Sequence, residues 1–128
     1  AKITEPRTVT APCFTSDYFP TILAALKIPL PSNRAYDGVD ILPFAIGKQI
    51  ERKKPLGFLN KDGKEAAWIE NRYKLISRKK GNELYDLIND PGEKINLIEK
   101  APKIAKRMEG QLLNWRTGVI AELKLIPK

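Results

Sequence analysis

The sequence predicts an α+β fold: a small four-stranded antiparallel sheet covered by a long C-terminal helix, with a shorter helix and loop ahead of it. Three observations carry this. Four short runs rich in β-branched, aromatic and aliphatic residues follow one another between residues 55 and 88, separated by turn residues. After Ala101-Pro102, apolar residues recur at helical spacing to Val119. Ahead of the sheet, Phe19, Ile22, Leu23 and Leu26 repeat at i, i+3, i+4 and i+7.

The first 14 residues are irregular, punctuated by Pro6 and Pro12. A helix is expected over about 16–27, with Thr15, Ser16 and Asp17 offering N-cap side chains and Pro20 in the first turn, where a missing amide donor costs nothing. It ends before Pro29 and Pro31, and its apolar stripe must pack on something. Gly38, in Tyr36-Asp37-Gly38-Val39-Asp40, is free to take a backbone conformation closed to other residues. A short helical turn is expected over about 42–46 and stops at Gly47.

The sheet is expected as a meander. Pro55–Leu59 and Ala66–Ile69 form a hairpin around Asn60-Lys61-Asp62-Gly63-Lys64, Asn71-Arg72 connects to Tyr73–Ser77, and Lys79-Lys80-Gly81-Asn82 turns the chain into Glu83–Ile88. In that last strand Tyr85 and Leu87 present an aromatic ring and a leucine to one face. Asn89-Asp90-Pro91-Gly92 ends it: Pro91 presets φ for the first corner of a turn and Gly92 can take positive φ at the second. The covering helix presents Ile104, Met108, Leu112, Trp115 and Val119 on one face, with Lys103, Lys106, Arg107, Gln111 and Asn114 mainly elsewhere. Gly110 and Gly118 each weaken it by about 1 kcal/mol relative to Ala, so packing must hold it.

Composition narrows the chemistry. The chain has 128 residues, 42% hydrophobic and 30% charged, enough for one soluble domain with a core. No apolar run approaches the length of a membrane span, and no membrane partner is expected. Its start, Ala1-Lys2-Ile3-Thr4-Glu5-Pro6-Arg7, has neither an initiator Met nor a signal-type apolar core, and suggests an excised or processed piece. Cys13 is the only cysteine, expected as a small semi-buried thiol, and excludes an internal disulfide. There is no His, which removes the usual general base and the commonest transition-metal ligand.

The net charge of +8 suggests affinity for anionic polymers. Acids interrupt most of the positive charge, and only Arg52-Lys53-Lys54 and Arg78-Lys79-Lys80 form runs, both beside turn residues, where solvated loop charge is expected. Nucleic acid is therefore not an expected partner. A basic, non-enzymatic module for anionic polysaccharide or nucleic acid is the alternative reading.

Glu83-Leu84-Tyr85-Asp86-Leu87-Ile88-Asn89-Asp90-Pro91-Gly92-Glu93-Lys94-Ile95-Asn96-Leu97, a strand, a turn and a docking segment, resembles the "ELYDL..DP.E..NL" segment near the C-terminus of sulfatases. Upstream and in the family's order stand "D..PT.L", from Asp17 to Leu23, and "DG.D..P...G", from Asp37 to Gly47. Ala66–Ile76 is similar to the family's "A.R.G.YKLI" strand pair, although Trp68-Ile69-Glu70-Asn71-Arg72 replaces its commoner small and basic residues.

The resemblance covers about Pro12 to Trp115 and implies the last third of a formylglycine-type sulfatase, of the arylsulfatase family and the alkaline-phosphatase-like superfamily. Residues 1–53 would be the C-terminal edge of the α/β catalytic domain, with the helix and loop left over from that edge, and 54–128 the C-terminal α+β subdomain. In the family a Cys or Ser in a Cys/Ser-x-Pro-x-Arg motif becomes formylglycine, calcium is held by Asp and Asn or Gln side chains, and Lys and His assist. None of this transfers: Cys13 is followed by Phe14-Thr15, and Ser16, Ser32 and Ser77 lack a Pro two residues on. No catalytic, cofactor-binding or metal-binding role is assigned to any residue. Calcium, formylglycine and a sulfated substrate belong to the intact enzyme, expected in the periplasm or secreted.

The implied partner is the missing N-terminal catalytic domain, or a second copy through the 16–27 helix. The resemblance also puts the Asn60–Lys64 turn at the parent's active-site mouth, although the acidic residue and His often found there are replaced by Asn60-Lys61-Asp62-Gly63.

Overall fold

The computed structural model describes residues 3–123; Ala1, Lys2 and the last five residues of the 54–128 segment lie outside the described residues. The chain divides into two compact units, Ala1–Lys54 and Pro55–Lys128.

In the first unit a turn of 3-10 helix, Thr15–Asp17, leads into α1, Tyr18–Ala25, and α2 spans Leu42–Ala45. Asp17 does not cap α1 as the sequence suggested: α1 has no side-chain cap bond, and the carboxylate is used elsewhere. The C-terminus of α1 is closed by backbone alone. Lys27 takes φ 60, its amide donates to the Ala24 carbonyl at 3.2 Å, and the Ile28 amide donates to Leu23 at 2.9 Å. Those paired bonds satisfy carbonyls that a helix end otherwise leaves bare. Gly47, at φ 73, follows α2 where a stop was expected. Gly38 is needed for a different reason than expected: its φ is not left-handed, but a Cβ there would stand 2.0 Å from the Ser16 carbonyl oxygen.

In the second unit, β1 (Leu56–Leu59), β2 (Ala66–Ile69), β3 (Tyr73–Arg78) and β4 (Gly81–Asp86) form an antiparallel sheet in the order β1-β2-β3-β4. Register explains the core. Gly57 pairs with Trp68, Trp68 with Leu75 and Leu75 with Leu84, so these four form one row across one face. On that face lies α3, Pro102–Leu123, contributing Ala105, Met108 and Leu112 to a cluster with Ala66, Trp68, Leu75 and Leu84. Ile104 and Trp115 pack against the cluster from its margin, while Val119 is half-buried. Gly57 ends the row because Trp115 takes its side-chain space; a Cβ there would meet the indole at 2.4 Å. Trp115 then sits 5.7 Å from Trp68, ring centre to ring centre, tilted by 48°.

Two expectations are corrected here. The last strand is Gly81–Asp86, not Glu83–Ile88, because the Asp86 carboxylate accepts the amides of Ile88 and Asn89 at 3.1 and 3.2 Å and curls the backbone out of the ladder. Leu84, fully buried, is the core-facing residue of β4, while Tyr85 and Leu87 are only half-buried. In the turn, the positive φ of 54 falls on Glu93 instead of Gly92. Asp90 sets it, accepting the amides of Lys94 and Ile95 at 2.8 Å each.

The docking segment that follows closes the outer edge of β4. Asn96 Oδ1 accepts the Leu84 amide at 3.0 Å, and the Leu97 amide donates to the Leu84 carbonyl at 2.7 Å. A bare strand edge thereby gains partners without a fifth strand.

Candidate functional site

The densest polar arrangement of the first unit centres on Asp17, whose side chain has no solvent exposure. Its Oδ2 accepts the Phe14 amide at 2.8 Å and Arg52 Nη1 at 2.9 Å; its Oδ1 accepts the Val39 amide at 2.8 Å and Arg52 Nη2 at 3.0 Å. Arg52 is therefore not a solvated loop charge as its basic run suggested, but 4% exposed. Its Nε also donates to the Lys54 carbonyl. Thr21 completes the node, its hydroxyl donating to the Asp17 carbonyl at 2.6 Å and accepting the Ile41 amide at 3.0 Å.

The Asp and Thr of "D..PT.L" are thus the groups that seize the backbone of the "DG.D" segment, and Gly38 is what lets the two approach. Burial pushes the Asp17 carboxyl up, but the Arg52 fork and the amides of Val39 and Phe14 outweigh it and hold the group below its ordinary value. Every lone pair is engaged by protein donors, so the carboxylate serves as a clamp and has none to spare for a cation.

Cys13 is exposed rather than semi-buried, with Sγ 3.4 Å from the Ala11 carbonyl. Desolvation of the sulfur and the negative charge of Asp17 push its thiol up, despite the opposing charge of Arg52. A thiol so placed is a poor nucleophile at neutral pH.

In the second unit, Asp86 is held well below the carboxylate range by Arg72, whose Nη2 lies at 2.7 Å, helped by Asn89 and Ile88. It too is fully engaged. Among the described residues, no group of three or more His, Cys, Asp or Glu side chains could hold a metal ion. The residues here do not fit the calcium or formylglycine that the resemblance attaches to the intact enzyme.

At one end of the sheet, the β1–β2 and β3–β4 turns stand side by side, since Ala66 pairs with Ser77. The Asn60–Lys64 turn is built by Asn60 Oδ1, which accepts the Glu65 amide at 3.1 Å, by Asp62 Oδ1, which accepts the Lys64 amide at 3.0 Å, and by Gly63 at φ 68. Arg116, reaching from α3, donates to the Gly63 carbonyl. Lys61 is exposed at the tip. The turn chemistry of Asp62-Gly63 was legible in sequence; the Arg116 anchor, 53 residues away, was not.

No protein-family model and no curated protein matches the chain. Solved structures do. One is a 6S-sulf protein of Bacteroides thetaiotaomicron, from a core genetic locus that orchestrates the metabolism of multiple glycosaminoglycans; it is 25% identical with a TM-score of 0.63 over 79% of this chain and 24% of its own. A 2-O GAG sulfatase is 23% identical, TM-score 0.61, over 87% of this chain and 26% of its own. A third, solved with its substrate D-glucosamine-2-N,6-O-disulfate, is 20% identical, TM-score 0.58, over 79% and 23%. The chain spans about a quarter of the length of these proteins. The chain therefore has the fold of a C-terminal portion of a sulfatase.

Proposed function

We propose that this chain is the structural C-terminal subdomain of an enzyme that hydrolyses sulfate esters, and that it contributes scaffold rather than catalytic groups. The observation that carries the reading is the likeness to sulfatases over most of this chain and about a quarter of theirs. The surface of α1 supports it: Phe19, Ile22 and Leu26 are 48%, 56% and 62% exposed, an apolar face with the composition of a buried one. In the intact enzyme this face packs on the catalytic α/β domain, which supplies the formylglycine and the calcium; in its absence the same face drives self-association. The parent belongs with the arylsulfatases, in the periplasm or outside the cell. Among the described residues no helix is long and apolar enough to cross a membrane.

The test is to join the chain to its upstream coding sequence. A Cys/Ser-x-Pro-x-Arg motif in frame and sulfate release by the joined protein support the reading; an upstream region without that motif contradicts it. In this reading the Asn60–Lys64 turn reaches the mouth of the parent's active site, and Lys61→Ala in the joined protein lowers kcat/KM; an unchanged value removes that part of the reading.

A further inference from the structure

The sheet has two edges, and the chain treats them differently. Outside β4, Asn96 and Leu97 take both backbone groups of Leu84. Outside β1, register shows which groups face the edge. Asn60 donates to the Glu65 carbonyl at 3.0 Å, two residues on from the pair Phe58↔Ala67, so Leu56 and Phe58 turn their amides and carbonyls to β2. Gly57 and Leu59 turn theirs outward, and among the described residues no hydrogen bond meets them.

β1 also lacks the usual guards of a free edge: Leu56-Gly57-Phe58-Leu59 has no charge, no Pro and an unbroken register. Pro55 precedes it in the outward series, where its missing N–H ends the open ladder. On the face away from α3, Phe58 begins a row with Ala67 and Ile76, and these three help line an open cavity of about 240 Å³. A strand added at this edge gains affinity from the bonds to Gly57 and Leu59, and the cavity beside Phe58 gives a place for one large apolar side chain.

A second copy of the chain is the poorer occupant. Each copy carries a net charge of +8, and two four-residue strands laid edge to edge fall well short of the roughly 1,200 Å² that a specific interface buries. A strand supplied by the same polypeptide needs no such area, because its effective concentration is already high. The related structures are about four times as long as this chain, so ample polypeptide exists to supply one.

We infer that the β1 edge receives a short extended segment of the parent's catalytic portion, which adds a fifth strand to the sheet on Gly57 and Leu59 and sets an apolar side chain beside Phe58. The inference rests on the sulfatase reading for its partner, but it is read by a different measurement.

That measurement is residue-resolved hydrogen exchange of the chain alone and of the chain joined to its upstream polypeptide. The Phe58 amide, bonded to β2, is protected in both. The Gly57 and Leu59 amides exchange fast in the chain alone and at least about a hundredfold slower in the joined protein, at any protein concentration. Leu59→Pro removes an outward N–H and no bond to β2; in the joined protein it speeds exchange at Gly57 by at least about tenfold while Phe58 stays protected. Fast exchange of Gly57 and Leu59 in a joined protein that releases sulfate overturns the inference and leaves the sulfatase reading standing. Protection already present in the chain alone, protection that grows with concentration, or Gly57 unmoved by Leu59→Pro overturns it as well, since these assign the edge to the chain itself, to a second copy or to burial without pairing.

Discussion

At Asp17 a carboxylate without solvent is tolerable only because four donors converge on its two oxygens. Removing its charge leaves the buried Arg52 guanidinium without its carboxylate, so Asp17→Asn costs the first unit about 3–5 kcal/mol. The Val39 amide, which donates to Asp17 at 2.8 Å, reports the loss: its hydrogen exchange accelerates in the variant. Asp86 has a more exposed partner in Arg72, which water can solvate, and Asp86→Asn costs about 1–2 kcal/mol.

Both carboxyls titrate lower in the folded chain than the roughly 3.9 of an unfolded one, so each stabilises fully above that pH and progressively less as pH falls through its folded value. Denaturation followed by Trp68 and Trp115 fluorescence therefore shows the gap between the native chain and Asp86→Asn closing between pH 5 and pH 2. A gap constant over that range contradicts the assignment. The sequence announced Asp17 only as a capping residue, because a cap and a clamp use the same side chain and differ only in which amides and cations the chain returns to it. Nothing in a single sequence pairs residue 17 with residue 52.

The elements of the sheet and α3 were legible almost throughout, since period-two runs, turn residues and a helical stripe are local signals. What escaped was the end of β4, decided by the side chain of Asp86, and the identity of its core-facing residue, decided by cross-strand register. Register also gives the sharpest prediction for this layer. Gly57→Ala forces a Cβ into the Trp115 ring and costs about 1–3 kcal/mol, with a change in tryptophan emission. Gly63→Ala has open space around it and is costly only through its φ of 68, by about 1 kcal/mol. If the two variants lose equal stability with unaltered emission, Trp115 does not occupy the place described. For α1 the expectation is the reverse. Leu26→Ser and Ile22→Ser alter stability by less than about 0.5 kcal/mol, because both side chains are exposed, yet they reduce the binding of a dye that reports apolar surface.

Across the whole molecule, a well-packed sheet-and-helix unit accompanies a unit whose helix shows its apolar face to solvent. Self-sufficient domains rarely expose such a stripe, and light scattering of the isolated chain should show association that Ile22→Ser and Leu26→Ser together suppress. A monomeric, dye-silent chain would count against the missing-domain account. The likeness of fold was readable from three ordered motifs, and the structure supplies their physics: clamp, close approach and edge-closing strap. The substrate was not readable, because the turn, clamp and packing signals of this sequence say nothing of a ligand. The most direct measurement is sulfate release from an aryl sulfate by the chain alone and by the chain joined to its upstream polypeptide. The account predicts the buffer rate for the first and turnover for the second; sulfate release by the chain alone would contradict it.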